Sequence, residues 1–176
     1  LGASLVLLEI EGAKQKGENL RFLFSGDLGH YDQPIVKDPA IPAECDYLMV
    51  ESTYGNRLHG DVSSADRMAE IINEAAERNA PILIPAFAVG RTQELLYLIR
   101  ELEDEKRIPV LPVAVDSPMA SQATQVYNRW REEHDEEYAS VLMRKRHPLR
   151  TGSMTTASSR DESKRLNEMR GARIII

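Results

Sequence analysis

Two carboxylates follow short apolar runs that are typical of strands. Asp27 comes after "LRFLFSG", and Glu51 comes directly after "DYLMV". Ligands bind at the carboxyl ends of the strands in open parallel sheets, so both residues stand where such folds keep their chemistry. Each also has a purely structural interpretation. Asp27 could bond its own backbone in a turn between two glycines, and Glu51 could accept hydrogen bonds from the turn that follows it.

Other polar groups follow other apolar runs. "AFAVGRT" comes after "PILIP", and Asp116 with Ser117 comes after "LPVAV". The "GRTQ" that opens the next helix could cradle a phosphate, with Arg91 as a contact, because helix N-termini bind anions. A plain helix start explains "GRTQ" better, and the same holds for Asp116.

The histidines do not form a paired ligand motif. His30 lies three residues after Asp27, which is weak ligand spacing, and His59, His134 and His147 are scattered. A catalytic zinc ion needs about three protein ligands, and the residues alone offer one convincing candidate, Asp27. Neither a Ser-His-Asp nor a Cys-His arrangement can be recognised from spacing, and the chain contains no Walker loop.

Composition limits the class of protein. The chain has 176 residues, 42% hydrophobic and 28% charged, which suits one domain or a little more. Its single cysteine, Cys45, cannot form an internal disulfide, so we expect a reducing, cytoplasmic location. No apolar run approaches membrane-spanning length. The net charge of −6 does not predict nucleic-acid binding, and "EEHDEE" and "RKRHPLR" are most simply solvated faces.

Strands and helices alternate from about residue 47 onward. Ser63, Ser117 and Ser159 are predicted to cap three helices, with a capping box between Ser159 and Glu162. We expect "CDYLMV" to be a buried strand and "HPLRTGSMTTASSR" to be a loop. Predicted strands also include "LVLLEIEG", "LRFLFSG", "PILIPAF", "IPVLPVAV" and "ARIII". Predicted helices are "SSADRMAEIINEAAERN", "GRTQELLYLIRELEDEK", "SPMASQATQVYNRW", "HDEEYASVLMRK" and "SRDESKRLNEMRG".

This alternation predicts an α/β fold. Continuous apolar strands are buried on both faces, so we expect a parallel sheet with covering helices. The first 45 residues lack helical patterns and resemble a more antiparallel layer, with a boundary near residues 52–62. The chain begins without Met and stops on "ARIII", apparently within a strand, and we interpret it as a fragment of a longer protein.

Five strings occur in an order that resembles a known family. They are "FSGDLG", "ESTYGNRLH", "IPAFAVGRTQELLYLI", "VDSPMA" and "SSRDESKRLN". Together they resemble the β-CASP branch of the metallo-β-lactamase-fold nucleases, which includes the nuclease subunit of the pre-mRNA cleavage and polyadenylation machinery. The resemblance implies that residues 1–55 are the C-terminal part of a first metallo-β-lactamase segment, an αββα sandwich. Residues 56–176 would be an incomplete β-CASP domain.

The resemblance also implies roles for single residues. Asp27, in "GDLG", would bridge two zinc ions in the full-length enzyme, and Glu51 would orient a metal-ligating histidine, which a carboxylate does by accepting the ring N–H. The family's His-x-His-x-Asp-His motif has no counterpart here, and its remaining histidine ligands would lie outside the chain. His30 matches no family ligand, and His59 is expected to order its loop. We therefore expect no tightly bound zinc and no activity in the fragment.

The implied function is that of a zinc-dependent ribonuclease in RNA processing or decay. Its partner would be single-stranded RNA, with Arg91 as a contact to RNA, and no membrane is expected. Two alternatives stay open, a non-catalytic β-CASP scaffold in an RNA-processing complex and a DNA-cleaving β-CASP nuclease. A further alternative, from the residues alone, is a nucleotide-binding domain that uses "AFAVGRT". Whether the protein forms a homo-oligomer or joins a processing complex also stays open.

Overall fold

The computed structural model describes residues 3–42, 44–58, 63–144 and 147–176. His59, which the sequence suggests orders its loop, lies outside these residues. The chain divides into two compact units, Leu1–Gly60 and Asp61–Ile176. All the α-helices of the described residues belong to the second unit.

The first unit contains a three-stranded sheet. Its strands are β1 (Val6–Ile10), β2 (Leu20–Phe24) and β3 (Tyr47–Met49), in the order β1-β2-β3. The β1 strand runs antiparallel to β2, and the turn between them contains a short 3-10 helix, Gln15–Gly17. The β2 and β3 strands are parallel, so their carboxyl ends reach the same edge of the sheet. The residues that follow these two strands therefore lie side by side.

The prediction that "CDYLMV" forms a buried strand is wrong about burial. Tyr47, Leu48 and Met49 of β3 form a strand but are all exposed. Phe22 stacks on Tyr47 with ring centroids 4.7 Å apart, and Leu23 is buried in the central strand. An apolar run is buried only where another layer covers it, and the described part of this unit has no α-helix to cover the sheet.

The second unit is an α/β layer with a four-stranded parallel sheet, as predicted. The strands are β4 (Pro81–Leu83), β5 (Pro112–Val115), β6 (Ser153–Thr156) and β7 (Arg173–Ile175), in the order β4-β7-β5-β6. Every neighbouring pair is parallel. The helices are α1 (Ser64–Glu77), α2 (Arg91–Asp104), α3 (Pro118–Arg129), α4 (Glu136–Arg144) and α5 (Arg160–Glu168). The fold class is thus confirmed.

Side-chain caps begin three of the helices where the sequence predicts them. Ser63 accepts a hydrogen bond from the N–H of Asp66, and Ser117 accepts one from the N–H of Ala120. Ser159 and Glu162 form the predicted capping box. These bonds satisfy N–H groups that have no partner within the helix, which fixes where each helix begins.

Helices α1 and α2 pack against the sheet through a large apolar core. Its fully buried side chains come from these two helices and from the two central strands, and include Ile72, Leu96, Ile99, Leu102, Val113, Val115 and Ile174. None of the helices in the described residues has the length and apolar character that crossing a membrane requires.

The prediction that "HPLRTGSMTTASSR" is a loop is wrong for Ser153–Thr156. These residues form the edge strand β6, in register with Pro112–Val115 of β5. The run is polar, and only Met154 among the four is partly buried. Backbone hydrogen bonds to β5 impose the strand, and an edge position does not require the apolar pattern from which strands are recognised.

Gln93 is a polar side chain at the centre of the second unit. It is fully buried in the first turn of α2, and its Oε1 accepts the N–H of Gly90 at 2.8 Å. Its Nε2 donates to the hydroxyl of Thr124 in α3 at 2.9 Å and to the carbonyl of Ala88 at 3.1 Å. One amide therefore fixes the loop after β4 and joins the first turn of α2 to the middle of α3.

Glu103 is a buried carboxylate at the other end of α2. Its Oε2 accepts the N–H of Gly152 at 2.7 Å, which holds the segment that leads into β6. Burial raises the pKa of the Glu103 carboxyl, against the opposing effects of the Gly152 N–H and the Arg100 charge. Glu103 therefore connects α2 to the edge strand at an electrostatic cost.

Replacing Gln93 should destabilise the protein. Gln93→Leu keeps the approximate shape but leaves the N–H of Gly90 and the hydroxyl of Thr124 without this partner. We expect the free energy of unfolding to fall by roughly 1–3 kcal/mol, measured by urea denaturation. Gln122→Leu, on the exposed face of α3, is the matched control and should change it by less than about 0.5 kcal/mol. Equal effects of the two substitutions would contradict the role of Gln93.

Glu103 should make stability depend on pH. Because its folded-state pKa is raised above the ordinary value of 4.5, the folded protein holds this proton more strongly than the unfolded chain does. The stabilisation is therefore lost as the pH rises through the folded pKa. Glu103→Gln has no such titration, so the variant should gain stability relative to wild type as the pH rises from 4.5 through the folded-state pKa. Denaturant titrations across that range measure the difference, and a constant or falling difference would contradict this prediction.

Candidate active site

The ends of β2 and β3 bring together the segments that contain Asp27 and Glu51. The N–H of Ser25 donates to the carbonyl of Met49 at 2.9 Å, which extends the parallel pairing by one residue. The N–H of Glu51 in turn donates to the hydroxyl of Ser25 at 3.1 Å. Asp27 and Glu51, which are 24 positions apart in the sequence, therefore lie at the same edge of one sheet.

The Glu51 carboxylate binds the backbone of the turn after Asp27. Its Oε1 accepts the N–H of Leu28 at 2.6 Å and the N–H of Gly29 at 3.3 Å. Its Oε2 has no hydrogen-bond partner among the residues that the structure describes. One oxygen of Glu51 thus fixes the loop beside Asp27, while the other stays available as an acceptor.

The structural alternative for Glu51 assigned its hydrogen bonds to the turn that follows it, and the structure places the donors elsewhere. They belong to the loop after β2. The segment after Glu51 closes through its own backbone, since the N–H of Gly55 donates to the carbonyl of Ser52 at 3.0 Å. Arg57 lies over the ring of Tyr54, 5.1 Å from its centroid. The Glu51 carboxylate therefore acts between strands rather than within its own turn.

Gly26 allows the chain to turn directly before Asp27. Its φ is +55°, in the left-handed region. A Cβ atom at this position would lie 2.7 Å from the carbonyl oxygen of Ser4. Glycine is required on both counts, and a tight loop results in which Asp27 directly follows the turn.

Asp27 is exposed and carries an uncommitted carboxylate. In the described part of the chain no hydrogen bond or ion pair reaches it. The structural alternative, in which Asp27 bonds its own turn, therefore finds no support. The loop is held by Glu51 instead. An exposed carboxylate on a braced loop has the chemistry that a metal ligand needs.

The described residues contribute only part of a metal site. No group of three or more His, Cys, Asp or Glu side chains among them is arranged to hold a metal ion. Asp27 fits as one ligand, and His30 already has an interaction of its own. His134 is buried, with its Nε2 2.8 Å from the carbonyl of Tyr127, and has a packing role against Tyr138.

Ser25 is a site residue that sequence analysis missed. It is buried, accepts the N–H of Glu51, and donates its own hydroxyl to the carbonyl of Gly26 at 2.8 Å. Ser25 therefore links the loop after β2 to the segment that contains Glu51. Its position between a strand and the glycine of "SGDLG" was the feature from which a role for Ser25 could have been predicted. The N–H group that Ser25 accepts belongs to Glu51, which is distant in the sequence.

Arg91 and the start of α2 do not form an open phosphate cradle. Arg91 is exposed and pairs with Glu94 at 2.8 Å. The N–H of Gly90 is taken by Gln93, and the N–H of Thr92 donates to the carbonyl of Phe87 at 3.3 Å. The structure therefore gives the nucleotide-binding interpretation of "AFAVGRT" no support, and contact of Arg91 with RNA stays a prediction.

Asp116 holds the start of α3 to a neighbouring helix. Its Oδ2 accepts the hydroxyl of Ser163 in α5 at 2.8 Å, and its N–H donates to the carbonyl of Ile176 at 2.8 Å. Asp116 therefore has a structural role at the carboxyl edge of the parallel sheet, which agrees with its interpretation as a helix entry.

Comparison with known proteins identifies the family. Residues 92–176 match the model of the Beta-Casp domain. Ribonuclease TTHA0252 of Thermus thermophilus is 31% identical over 162 residues, which are 92% of this chain and 37% of that protein. Cleavage and polyadenylation specificity factor subunit 3 of Dictyostelium discoideum is 31% identical over 74% of this chain and 16% of its own length. An RNase J-like protein of Methanocaldococcus jannaschii is 31% identical over 72% of this chain and 29% of its own length.

These matches cover this chain far more fully than they cover the relatives, so the chain spans well under half of their length. The matches agree with the order of motifs along the sequence and with the helix-covered parallel sheet of the second unit. The chain therefore belongs to the β-CASP family.

Proposed function

We propose that the full-length protein is a metal-dependent ribonuclease that hydrolyses phosphodiester bonds of single-stranded RNA. Relatives named ribonuclease and endoribonuclease support this activity. Hydrolysis forms a bond between a water oxygen and phosphorus and breaks the bond to the leaving strand. Because the chain spans only part of its relatives, the activity is proposed for the whole protein and not for these 176 residues alone.

The observation that carries the proposal is the brace between Glu51 and the loop of Asp27. A metal ligand is most effective when its position is fixed before the metal binds, because ordering it afterwards costs free energy. Glu51 fixes the backbone at Leu28 and Gly29 and leaves the carboxylate of Asp27 uncommitted. The combination of a fixed backbone and an uncommitted exposed carboxylate is what supports a ligand role for Asp27.

Zinc is the metal that we propose, with Asp27 as a ligand shared by two ions. Bound zinc would lower the pKa of a water molecule and neutralise charge on the phosphoryl oxygens. The part played by this chain is to hold the Asp27 carboxylate at a fixed place on the edge of the first sheet. We further propose that residues 1–55 belong to a metallo-β-lactamase segment of the full-length protein.

The second oxygen of Glu51 suits the role that the family resemblance implies. A ligating histidine needs an acceptor for its other ring N–H, which fixes the tautomer and strengthens the ligand. Because Oε1 is already occupied by two backbone N–H groups, Oε2 is the atom that we assign to this histidine. Glu51 would thus position two ligands at once.

RNA is preferred over DNA because the relatives are named as ribonucleases or as cleavage and polyadenylation factors. A role in a processing complex is supported by the relatives named as factor subunits, and a homo-oligomer is the other arrangement that we propose to test. The free, half-buried Cys45 is compatible with the reducing cytoplasm that we propose as the location.

Removing the Asp27 carboxylate should nearly abolish cleavage. Loss of a residue that hydrogen-bonds to a metal ligand typically lowers metal affinity or activity by about 10- to 100-fold. Loss of a ligand itself, in Asp27→Asn, should therefore lower kcat by at least about 100-fold. Cleavage of single-stranded RNA by the full-length enzyme and its zinc content by elemental analysis measure the effect. Asp32→Asn is the matched control, because Asp32 is an exposed aspartate of the same connection. Unchanged cleavage by Asp27→Asn would exclude Asp27 from the mechanism.

Two substitutions of Glu51 separate its two oxygens. Glu51→Gln keeps an acceptor for the N–H groups of Leu28 and Gly29 but cannot accept a histidine N–H with its amide nitrogen. Glu51→Ala loses both functions. We expect a decrease in zinc affinity of about 10-fold for Gln and nearer 100-fold for Ala, with kcat following, as measured by competition with a chelator. If both variants bind zinc as tightly as wild type, Glu51 does not position the ligands.

A further inference from the structure

A cleft of about 350 Å³ lies within the second unit. The elements that line it are α3, β5, β6 and the segment 147–150. Its volume is near the lower end of the roughly 300–1,000 Å³ that is usual for small-molecule sites. It suits a single nucleotide and is too small for a folded or double-stranded ligand.

The residues that line the cleft give it the opposite charge balance to the rest of the chain. The net charge of the protein is −6, yet Arg150 and the imidazole of His147 line the cleft and none of its lining side chains is acidic. Both residues come from "RKRHPLR", the basic cluster that the sequence alone assigned to a solvated face. An anionic group is therefore attracted to this place despite the acidic composition.

Arg150 differs from the arginines of α1 and α2. Arginines in and directly after α1 and α2 pair with carboxylates, and they are Arg67, Arg78, Arg91, Arg100 and Arg107. The guanidinium of Arg150 is exposed and has no hydrogen bond or ion pair with any described residue. Its donors are free for a ligand, and a guanidinium matches the geometry of a phosphate group.

One face of α3 supplies neutral hydrogen-bonding groups. Gln125 and Asn128 are three positions apart and so project from the same side of the helix. Both are exposed and line the cleft, and their amides make no hydrogen bond to the described part of the chain. Amides of this kind can pair with the donor and acceptor edges of a base, because each offers an acceptor and two donors.

The cleft also has an apolar floor. Val115 and Leu149 are buried beneath it and Met154 is partly buried. A floor of this kind, rimmed by a few polar groups, is the usual composition of a site for a planar ring. His147 adds a ring on which a base can stack.

We propose that this cleft binds one nucleotide of a single-stranded RNA. Arg150 contacts the phosphate, His147 stacks on the base, and Gln125 and Asn128 bond to the base edge. The inference rests on the proposed function, because it takes RNA as the partner. The site adds affinity and fixes the register of the strand, and it takes no part in bond breaking.

Binding of a fluorescein-labelled oligouridylate to this chain tests the site. Loss of a charge-assisted phosphate contact in Arg150→Gln should weaken binding about tenfold, and it should make the dependence on salt shallower by about 0.7 in the log–log slope. Arg78→Gln is the matched control. Arg78 directly follows α1, near the strand at the opposite edge of the sheet, and pairs with Glu74. The control should change affinity by less than about twofold.

Three results would overturn the site. The first is equal weakening by Arg150→Gln and Arg78→Gln, which would indicate only diffuse electrostatic attraction. The second is unchanged affinity in the double variant Arg150→Gln with His147→Gln. The third is competition by inorganic phosphate that equals competition by uridine monophosphate, since this would leave a phosphate site and remove the base from it. Stronger competition by uridine monophosphate, lost in Asn128→Ala, is the result expected.

The full-length enzyme separates this inference from the proposed function. Arg150→Gln should raise KM for RNA and leave kcat unchanged, whereas Asp27→Asn should lower kcat. If Asp27→Asn still cleaves RNA while Arg150→Gln weakens binding, the proposed role of Asp27 in cleavage is wrong and the proposed nucleotide site in the cleft is supported. If Asp27→Asn is inactive while Arg150→Gln has the KM of wild type, the cleft is excluded and the mechanism stands.

Discussion

The hydrogen bonds from the N–H groups of Leu28 and Gly29 to one oxygen of Glu51 determine the geometry of the candidate active site. The loop after β2 turns at a glycine with positive φ and presents an exposed aspartate, so it has little apolar packing of its own to hold it. A charged acceptor is about twice as strong as a neutral one, and it comes from the neighbouring strand. The site therefore depends on the parallel pairing of β2 with β3 as much as on its own residues.

The second unit is stabilised mainly by apolar packing. Its strands and helices enclose an ordinary apolar core, and two of its buried polar side chains hold connections in place. Gln93 fixes the loop before α2, and Glu103 fixes the segment before β6. Both act on backbone N–H groups, as Glu51 does in the first unit. In each case a side chain from one element determines the path of a loop that belongs to another.

This pattern explains which features could be predicted from the sequence. The caps at Ser63, Ser117 and Ser159 were predictable because donor and acceptor are three residues apart. The acceptor role of Glu51 was expected, but its donors were not, because they lie 22 and 23 residues away. The edge strand β6 was missed since its polar residues are specified by pairing with β5. The exposure of β3 was missed because an apolar pattern shows what can be buried, not what covers it.

The net charge does not decide whether the proposed cleft attracts an anion. An arginine that already pairs with a carboxylate on its own helix contributes little field, whereas an unpaired one keeps its full capacity to bind an anion. Exposed charges farther apart than the Debye length, roughly 10 Å at 0.1 M salt, are largely screened. The attraction that an RNA phosphate meets at Arg150 is therefore set by the side chains within the cleft, none of which is acidic, and not by the −6 of the whole chain. An acidic protein can therefore attract an anion locally where an arginine has no carboxylate partner nearby.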